Sequence, residues 1–266
     1  MSLFDADPAV TPGDTPESPG PSKLRLVMAY DGTGFHGFAD QADVRTVAGT
    51  LGKALAKIFR HPVELSCAGR TDAGVHAWGQ VVSLPSGPGI DPWRLQKALN
   101  GMLAPEVVVR SCEPVDAAFD ARRSARWRSY RYTVVNRPIP DPFLARYAWW
   151  VPGRLEVAAM QLGADPFVGE HDFAAFCRAG PAGSTTVRRV EESRWVDLGD
   201  GLLRYEIRAT AFCWQMVRSI VGTLVDIGTG ARRAGEIMGM LRARERAAAG
   251  KVAPPHGLCL WEVGYE

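Results

Sequence analysis

The sequence predicts an α/β protein of two ferredoxin-like halves, each a split β-α-β-β-α-β unit, joined edge to edge into one central mixed, largely antiparallel sheet. Three observations point there. From Leu24 to Cys112, alternating apolar stretches and stretches of helical apolar spacing follow one another in the order β-α-β-β-α-β. The order restarts at Trp127 and runs to Tyr265, without residue-level similarity between the halves. The length of 266 residues, 46% of them hydrophobic, suits one large domain or two modest ones packed together. We therefore divide the chain into a tail at 1–22, an N-terminal half at 23–120 and a C-terminal half at 121–266, with helices on one side of the sheet and a cleft between the halves.

The elements follow in order. LRLVMAY reads as a strand that stops at the turn-forming DGTG. Val47, Leu51, Leu55 and Ile58 share a helical face in Thr46–Phe59, and Thr46 is suited to cap it. VELSCAG and the alternating WGQVVSL are strands, Asp91–Leu103 is a helix, and EVVVRSC closes the first unit. In the second unit WRSYRYTVV is a strand and Leu155–Leu162 a helix, and VRRVEESRWVDL pairs with LLRYEIRATAF around the turn GDG. Helices are predicted over Phe212–Ile227 and Ala234–Arg246, and LCLWEVGY is the last strand. Phe212–Ile227 is apolar on more than one side, which fits burial against another chain or inside the core.

Several protein classes are excluded. No apolar run reaches eighteen residues, so a membrane span is not expected. The start MSLFDADPAVTPGDTPESPGPS lacks the basic and apolar regions of a secretory signal, which points to the cytoplasm. Cys67, Cys112, Cys177, Cys213 and Cys259 show neither CxxC nor Cys/His metal spacing, and are read as buried thiols in a reducing compartment. No metal site is expected.

The net charge of +2 hides an asymmetry. Residues 1–22 hold four acids, no base and five prolines, a composition expected to be disordered. The remainder carries 31 basic against 25 acidic side chains, hence +6, and 26 of the basic residues are Arg. Between residues 122 and 146 seven arginines face one acid, Asp141, and are interleaved with Trp127, Tyr130, Tyr132, Phe143 and Tyr147. Mixed cations and aromatics suit phosphate contact and stacking on unpaired bases. Arg122, Arg123, Arg126 and Arg128 are the candidate RNA-binding residues; a solvated strand edge is the plainer alternative. Arg242, Arg244 and Arg246 form a second cluster, for which the plain reading is preferred.

The connection CAGRTDAGVHAWGQ, from Cys67 to Gln80, gathers Arg, Thr, Asp and His among three glycines. In extended chain, side chains two apart share a face, which places Arg70 beside Asp72. A neighbouring arginine keeps a carboxylate ionised, fit to act as nucleophile or general base. An Asp in such a loop is also an ordinary Asx-turn cap, and spacing alone does not separate the two. His76 reads first as a satisfied structural histidine.

GRTDAGVHA resembles the signature of the tRNA pseudouridine synthase A family. YDGTGFHGF, RTVAGTLGKALAKI, SYRYTVVNRP, FCWQMVRSIVGTLVDIG and APPHGLCLWEVGY agree with it in order, from Leu24 to Tyr265. The resemblance implies the pseudouridine synthase fold and isomerisation of uridine to pseudouridine at nucleotides 38, 39 and 40 of the tRNA anticodon arm. It makes Asp72 the catalytic carboxylate and Tyr130 the aromatic stacked on the target base. Arg70 is expected to pair with Asp72 and reach the substrate, with Arg218 and Leu258 lining the pocket. It implies a homodimer and no cofactor, nucleotide or otherwise. Asp72 adding to C1′, adding to C6, or removing the 2′ proton all remain open. The same chemistry on another RNA site, or an RNA-binding module without catalysis, are the alternatives. The sequence departs from the family pattern at Phe38 and Ala39 (usually Trp-Gln), at Trp214 and Gln215 (commonly His), at Ser219 (usually Asn) and at Asp120 (frequently His).

Overall fold

A computed structural model describes residues 23–87, 89–178, 180 and 183–266; the tail at 1–22, with its expected disorder, lies outside them. The first half contains β1 (Lys23–Tyr30), α1 (Val47–Phe59), β2 (Ser66–Cys67), β3 (His76–Pro85), α2 (Pro92–Leu103) and β4 (Val107–Val115). The second contains β5 (Trp127–Val135), β6 (Trp149–Trp150), α3 (Val157–Ala164), β7 (Gly169–Asp172), β8 (Val187–Asp197), β9 (Leu202–Ala209), α4 (Met216–Gly228), α5 (Ile237–Ala243) and β10 (Leu258–Gly264).

Local chemistry sets the first helices. Thr46 Oγ1 accepts from the Gly49 N–H at 3.2 Å and caps α1. Asp91 Oδ1 accepts from Trp93 and Arg94 N–H groups and caps α2, with Pro92 at its first position. Each such cap is worth about 1 kcal/mol.

The sheet runs β4-β1-β3-β10-β5-β9-β8-β7, with β2 on β3 and β6 on β5. Both halves repeat one arrangement: β4-β1-β3-β2 in the first and β10-β5-β9-β8 in the second. Their fusion depends on the shortness of β2. It pairs only with Val82 and Ser83 at the far end of β3, leaving His76 and Ala77 free to pair in parallel with Cys259 and Leu260 of β10. The β2–β3 connection therefore leaves the sheet where the halves join.

One large core lies on the helix side. Leu24, Leu26, Met28 and Tyr30 alternate into it with Leu51, Leu55, Leu95 and Leu99. Eleven of the thirteen residues of α4 are buried, so its apolar surfaces are internal core. Segment 249–253 crosses α4 so closely that a Cβ at Gly222 would collide with the Lys251 carbonyl oxygen.

Several boundaries differ from the sequence reading. The predicted strand VELSCAG shrinks to β2. The helix predicted from Phe212 starts at Met216, because Gln215 is left-handed, with φ 62°, and turns the chain before the helix. The helix predicted over Ala234–Arg246 becomes a 3-10 turn and the short α5, ended by left-handed Arg244 at φ 57°. Helix α3 lies two residues later than predicted, and β6 and β7 add strands that the sequence reading lacked. Only Cys177 is buried; the other four cysteines are half-buried.

Candidate active site

The loop at 68–75 is interlocked with the turn at 31–38. Phe38 N–H donates to Thr71 O at 3.0 Å, Gly74 N–H to Phe35 O at 3.3 Å, and the Tyr30 and Thr71 hydroxyls lie 2.8 Å apart. Two glycines make this approach possible: a Cβ on Gly32 would strike the Val75 carbonyl, and one on Gly37 would come within 2.9 Å of Thr71 O. At the loop's entry Gln80 Nε2 donates to Gly69 O at 2.6 Å. At its exit Val75 N–H donates to Asp72 O at 3.1 Å.

His76 begins β3 directly behind this loop. Its Nδ1 accepts from Gly32 N–H at 3.0 Å and lies 3.2 Å from Asp31 Oδ1, while Nε2 faces the carbonyls of Arg146 at 2.9 Å and His256 at 3.1 Å. All its hydrogen-bonding capacity is used, as a structural histidine requires. Beside it, burial pushes the Asp31 carboxyl up, but bonds from Thr33 and from the Tyr147 hydroxyl outweigh that and hold it below the usual range.

Asp72 projects from the loop and pairs with Arg218, Nη1 to Oδ2 at 3.2 Å. Arg218 lies in the first turn of α4, and its Nε donates to Ala253 O at 2.8 Å, which fixes the guanidinium. Its side chain is 13% exposed and that of Asp72 25%, so the cation is enclosed while the carboxylate is reachable. A reachable carboxylate with a fixed counter-cation is chemically equipped to act as nucleophile or base.

Tyr130 enters from β5. Its ring packs edge-on against Phe212, centroids 4.8 Å apart at 81°, and burial raises its pKa far above the usual value, so the phenol is neutral. Its hydroxyl lies 3.7 Å from where a Gly69 Cβ would be, beside the entry to the Asp72 loop. Leu258 opens β10 opposite Tyr132, two register steps from the Leu260–Tyr130 pair and so on the same face of the sheet. The chain just before it touches the loop, since a Gly74 Cβ would lie 3.1 Å from Pro255 Cγ.

The structure thus gathers Asp72, Arg218, Tyr130 and Leu258 and corrects the place of Arg70. Among the described residues Arg70 makes no ion pair. It lines a cavity of about 520 Å³ with Phe38, Ala39, Lys53 and Cys67. The expectation of a side-by-side Arg70–Asp72 pair assumed extended chain, whereas residues 70–72 belong to no strand and the Asp72 carboxylate is taken by Arg218 from α4. Phe212 and the Ala253 carbonyl were missed because the first was read as helix and the second has no side-chain signal.

The arginine cluster divides. Arg122, Arg123 and Arg126 are exposed. Arg128 is corrected from RNA ligand to internal strut: its guanidinium donates to the carbonyls of Ala68, Arg122, Ala125 and Thr210 at 2.9–3.3 Å. Arg131 pairs with Glu206 at 3.1 Å, and Arg137 with Asp141 and Asp200 at 3.3 and 2.6 Å. In the later cluster Arg244 pairs with Asp172 and Arg246 binds carbonyls, in keeping with the plain reading. Asp120 caps the turn carrying Arg122 and Arg123 by accepting from both their N–H groups. Among the described residues no group of three or more His, Cys, Asp or Glu is placed to hold a metal, and no helix is long and apolar enough to cross a membrane.

The sequence matches the family profile described as tRNA pseudouridine synthase over residues 26–122 and 164–266. It is 43% identical to the tRNA pseudouridine synthase A of Leifsonia xyli subsp. xyli, with 92% of each chain covered. It is 43% identical to that of Brevibacillus brevis, covering 91% of this chain and 99% of the relative, and 39% identical to that of Bacillus subtilis, covering 92% and 99%. Among solved structures, an H/ACA ribonucleoprotein bound to a substrate RNA containing 2′-deoxyuridine matches 76% of this chain and 44% of its own, at TM-score 0.35 and 11% identity, a likeness too slight to argue from. A mixed sheet of two fused units with a carboxylate–arginine pair at their junction, taken with these matches, defines an isomerase. The chain belongs to the tRNA pseudouridine synthase family.

Proposed function

We propose that this protein isomerises uridine to pseudouridine at positions 38, 39 and 40 of the tRNA anticodon stem-loop, with Asp72 as the catalytic carboxylate. The observation that carries the reading is the Asp72–Arg218 pair beside Tyr130. The reaction breaks the bond from C1′ to N1, turns the freed uracil, and joins C1′ to C5, so atoms are conserved and no redox partner is consumed. The base must leave its helix, which costs a few kcal/mol, and be held by stacking and edge contacts while detached. In this reading the Tyr130 ring lies against the uracil face and Leu258 forms an apolar wall. Arg218 pairs with Asp72 and holds the carboxylate aimed at the ribose or the base. Buried Tyr130 stays neutral, so it adds no second negative charge next to the carboxylate.

The halves at 23–120 and 121–266 form the two walls of the cleft, Asp72 coming from one and Tyr130, Arg218 and Leu258 from the other. Arg122, Arg123 and Arg126 contact phosphates, and Arg70 reaches the RNA rather than the carboxylate. The protein acts in the cytoplasm as a homodimer. Pseudouridine mapping of total tRNA with and without the protein tests the reading. Loss at 38–40 is expected on its removal; loss elsewhere, or nowhere, would overturn the assignment.

A further inference from the structure

Between β5 and β6 the chain forms a strap, 137–147, that is tightly fastened and yet displays unpacked apolar side chains. Arg137 holds it through Asp141 and Asp200, and its carbonyl accepts from Trp150 Nε1 at 2.9 Å. Asp141 Oδ1 accepts from Phe143 N–H at 2.9 Å, and Leu144 O accepts from Tyr147 and Ala148 N–H groups. Pro138, Pro140 and Pro142 stiffen the backbone further. At its foot the Tyr147 hydroxyl donates to Asp31 at 2.9 Å, and the Arg146 carbonyl is bound by His76, four residues beyond Asp72. The strap therefore stands on the same histidine that fixes the exit of the catalytic loop.

On this rigid support Phe143 is 88% exposed and Ile139 75%. A fastened segment that holds a phenyl ring in water presents it to a partner. Charge identifies the partner's chemistry. Arg146 is the only charged side chain between residues 142 and 153; it is exposed and makes no ion pair among the described residues. An exposed ring and an unpaired guanidinium three residues apart, on a strap bonded to the histidine behind the Asp72 loop, suit stacked bases flanked by phosphate.

We propose that Phe143 is a stacking wedge for a base-paired RNA stem. It fills the gap left when the target uridine leaves the helix, Ile139 packs against the adjoining sugar, and Arg146 takes a flanking phosphate. The inference rests on the function proposed above and adds the group that keeps the stem from closing behind the extruded base.

The test compares wild type and Phe143→Ala on two anticodon stem-loop RNAs, one with its target uridine paired and one with a mismatch facing it. Single-turnover pseudouridine formation and the thermal midpoint are both read. Loss of stacking predicts that Phe143→Ala slows the paired RNA by about tenfold or more. The mismatched RNA, already unstacked, keeps its wild-type rate, Phe143→Trp restores the paired rate, and the exposed position leaves the midpoint unchanged. Equal rates for wild type and Phe143→Ala on the paired RNA would overturn the wedge alone. So would equal slowing on both RNAs, or slowing accompanied by a changed oligomeric mass, which would place the ring against a second copy of the chain. A wild type inactive on both RNAs would overturn the function and the wedge together.

Discussion

Asp72 and Arg218 stand 146 residues apart in sequence and 3.2 Å apart in space. The glycine-rich connection offered two readings of Asp72, catalytic carboxylate or turn cap, and the family resemblance, not the spacing, favoured the first. The structure pairs Asp72 with Arg218 rather than with Arg70, the neighbour that spacing along an extended chain suggested. Arg218 was legible only through the family resemblance, since a single arginine in an apolar helix has no local pattern. Tyr130 is the residue whose role is most open to measurement. Its phenol is neutral and buried and packs edge-on against Phe212, and the proposed stacking role makes a specific demand on it. Tyr130→Phe is expected to retain near-normal turnover, and Tyr130→Leu to lose it, in a steady-state pseudouridine assay. Equal loss in both variants would instead assign the work to the hydroxyl.

Elements with clear period and caps, such as α1 and α2, are where the sequence says. The misplaced ends have a common cause: backbone geometry overrides side-chain pattern. Gln215 and Arg244 adopt left-handed conformations that apolar spacing does not report, and β2 stops at two residues because its continuation is recruited by the turn at 31–38. Arg128 shows the same limit. Composition placed it in an RNA-binding cluster, but it ties the loop carrying Asp72 to the end of β9 and to the turn at 122–125. Removing it strands several carbonyls in a half-buried site. Arg128→Ala is expected to lower stability by about 3 kcal/mol in urea unfolding, each orphaned group costing about 1–3 kcal/mol. Its tRNA affinity is expected to keep the wild-type salt dependence, and a flattened salt dependence without loss of stability would restore Arg128 as a phosphate ligand.

At the scale of the molecule the near-neutral total was the least informative quantity. The acidic segment 1–22 offsets a remainder that carries +6. Within the arginine-rich stretch, Arg128, Arg131 and Arg137 are spent on internal partners, while Arg122, Arg123 and Arg126 remain open. Binding to tRNA is therefore expected to weaken steeply with salt, by roughly 0.7–0.9 in log–log slope per phosphate contacted. Replacing Arg122, Arg123 and Arg126 by Ala reduces that slope, and an unchanged slope would move the RNA to another surface. The two-unit architecture was legible because each unit repeats a known order. The junction was not, since a two-residue parallel pairing of β3 with β10 leaves no trace in either strand's own pattern.

That junction is where Asp72 stands, and the account's central claim is that this carboxylate performs the isomerisation. Release of tritium from tRNA labelled at uridine C5 reads the reaction directly, because C5 exchanges its hydrogen for the new bond to C1′. Asp72→Asn preserves shape and removes the charge. It is expected to release no tritium while binding tRNA with near wild-type affinity; measurable turnover by this variant would contradict the account.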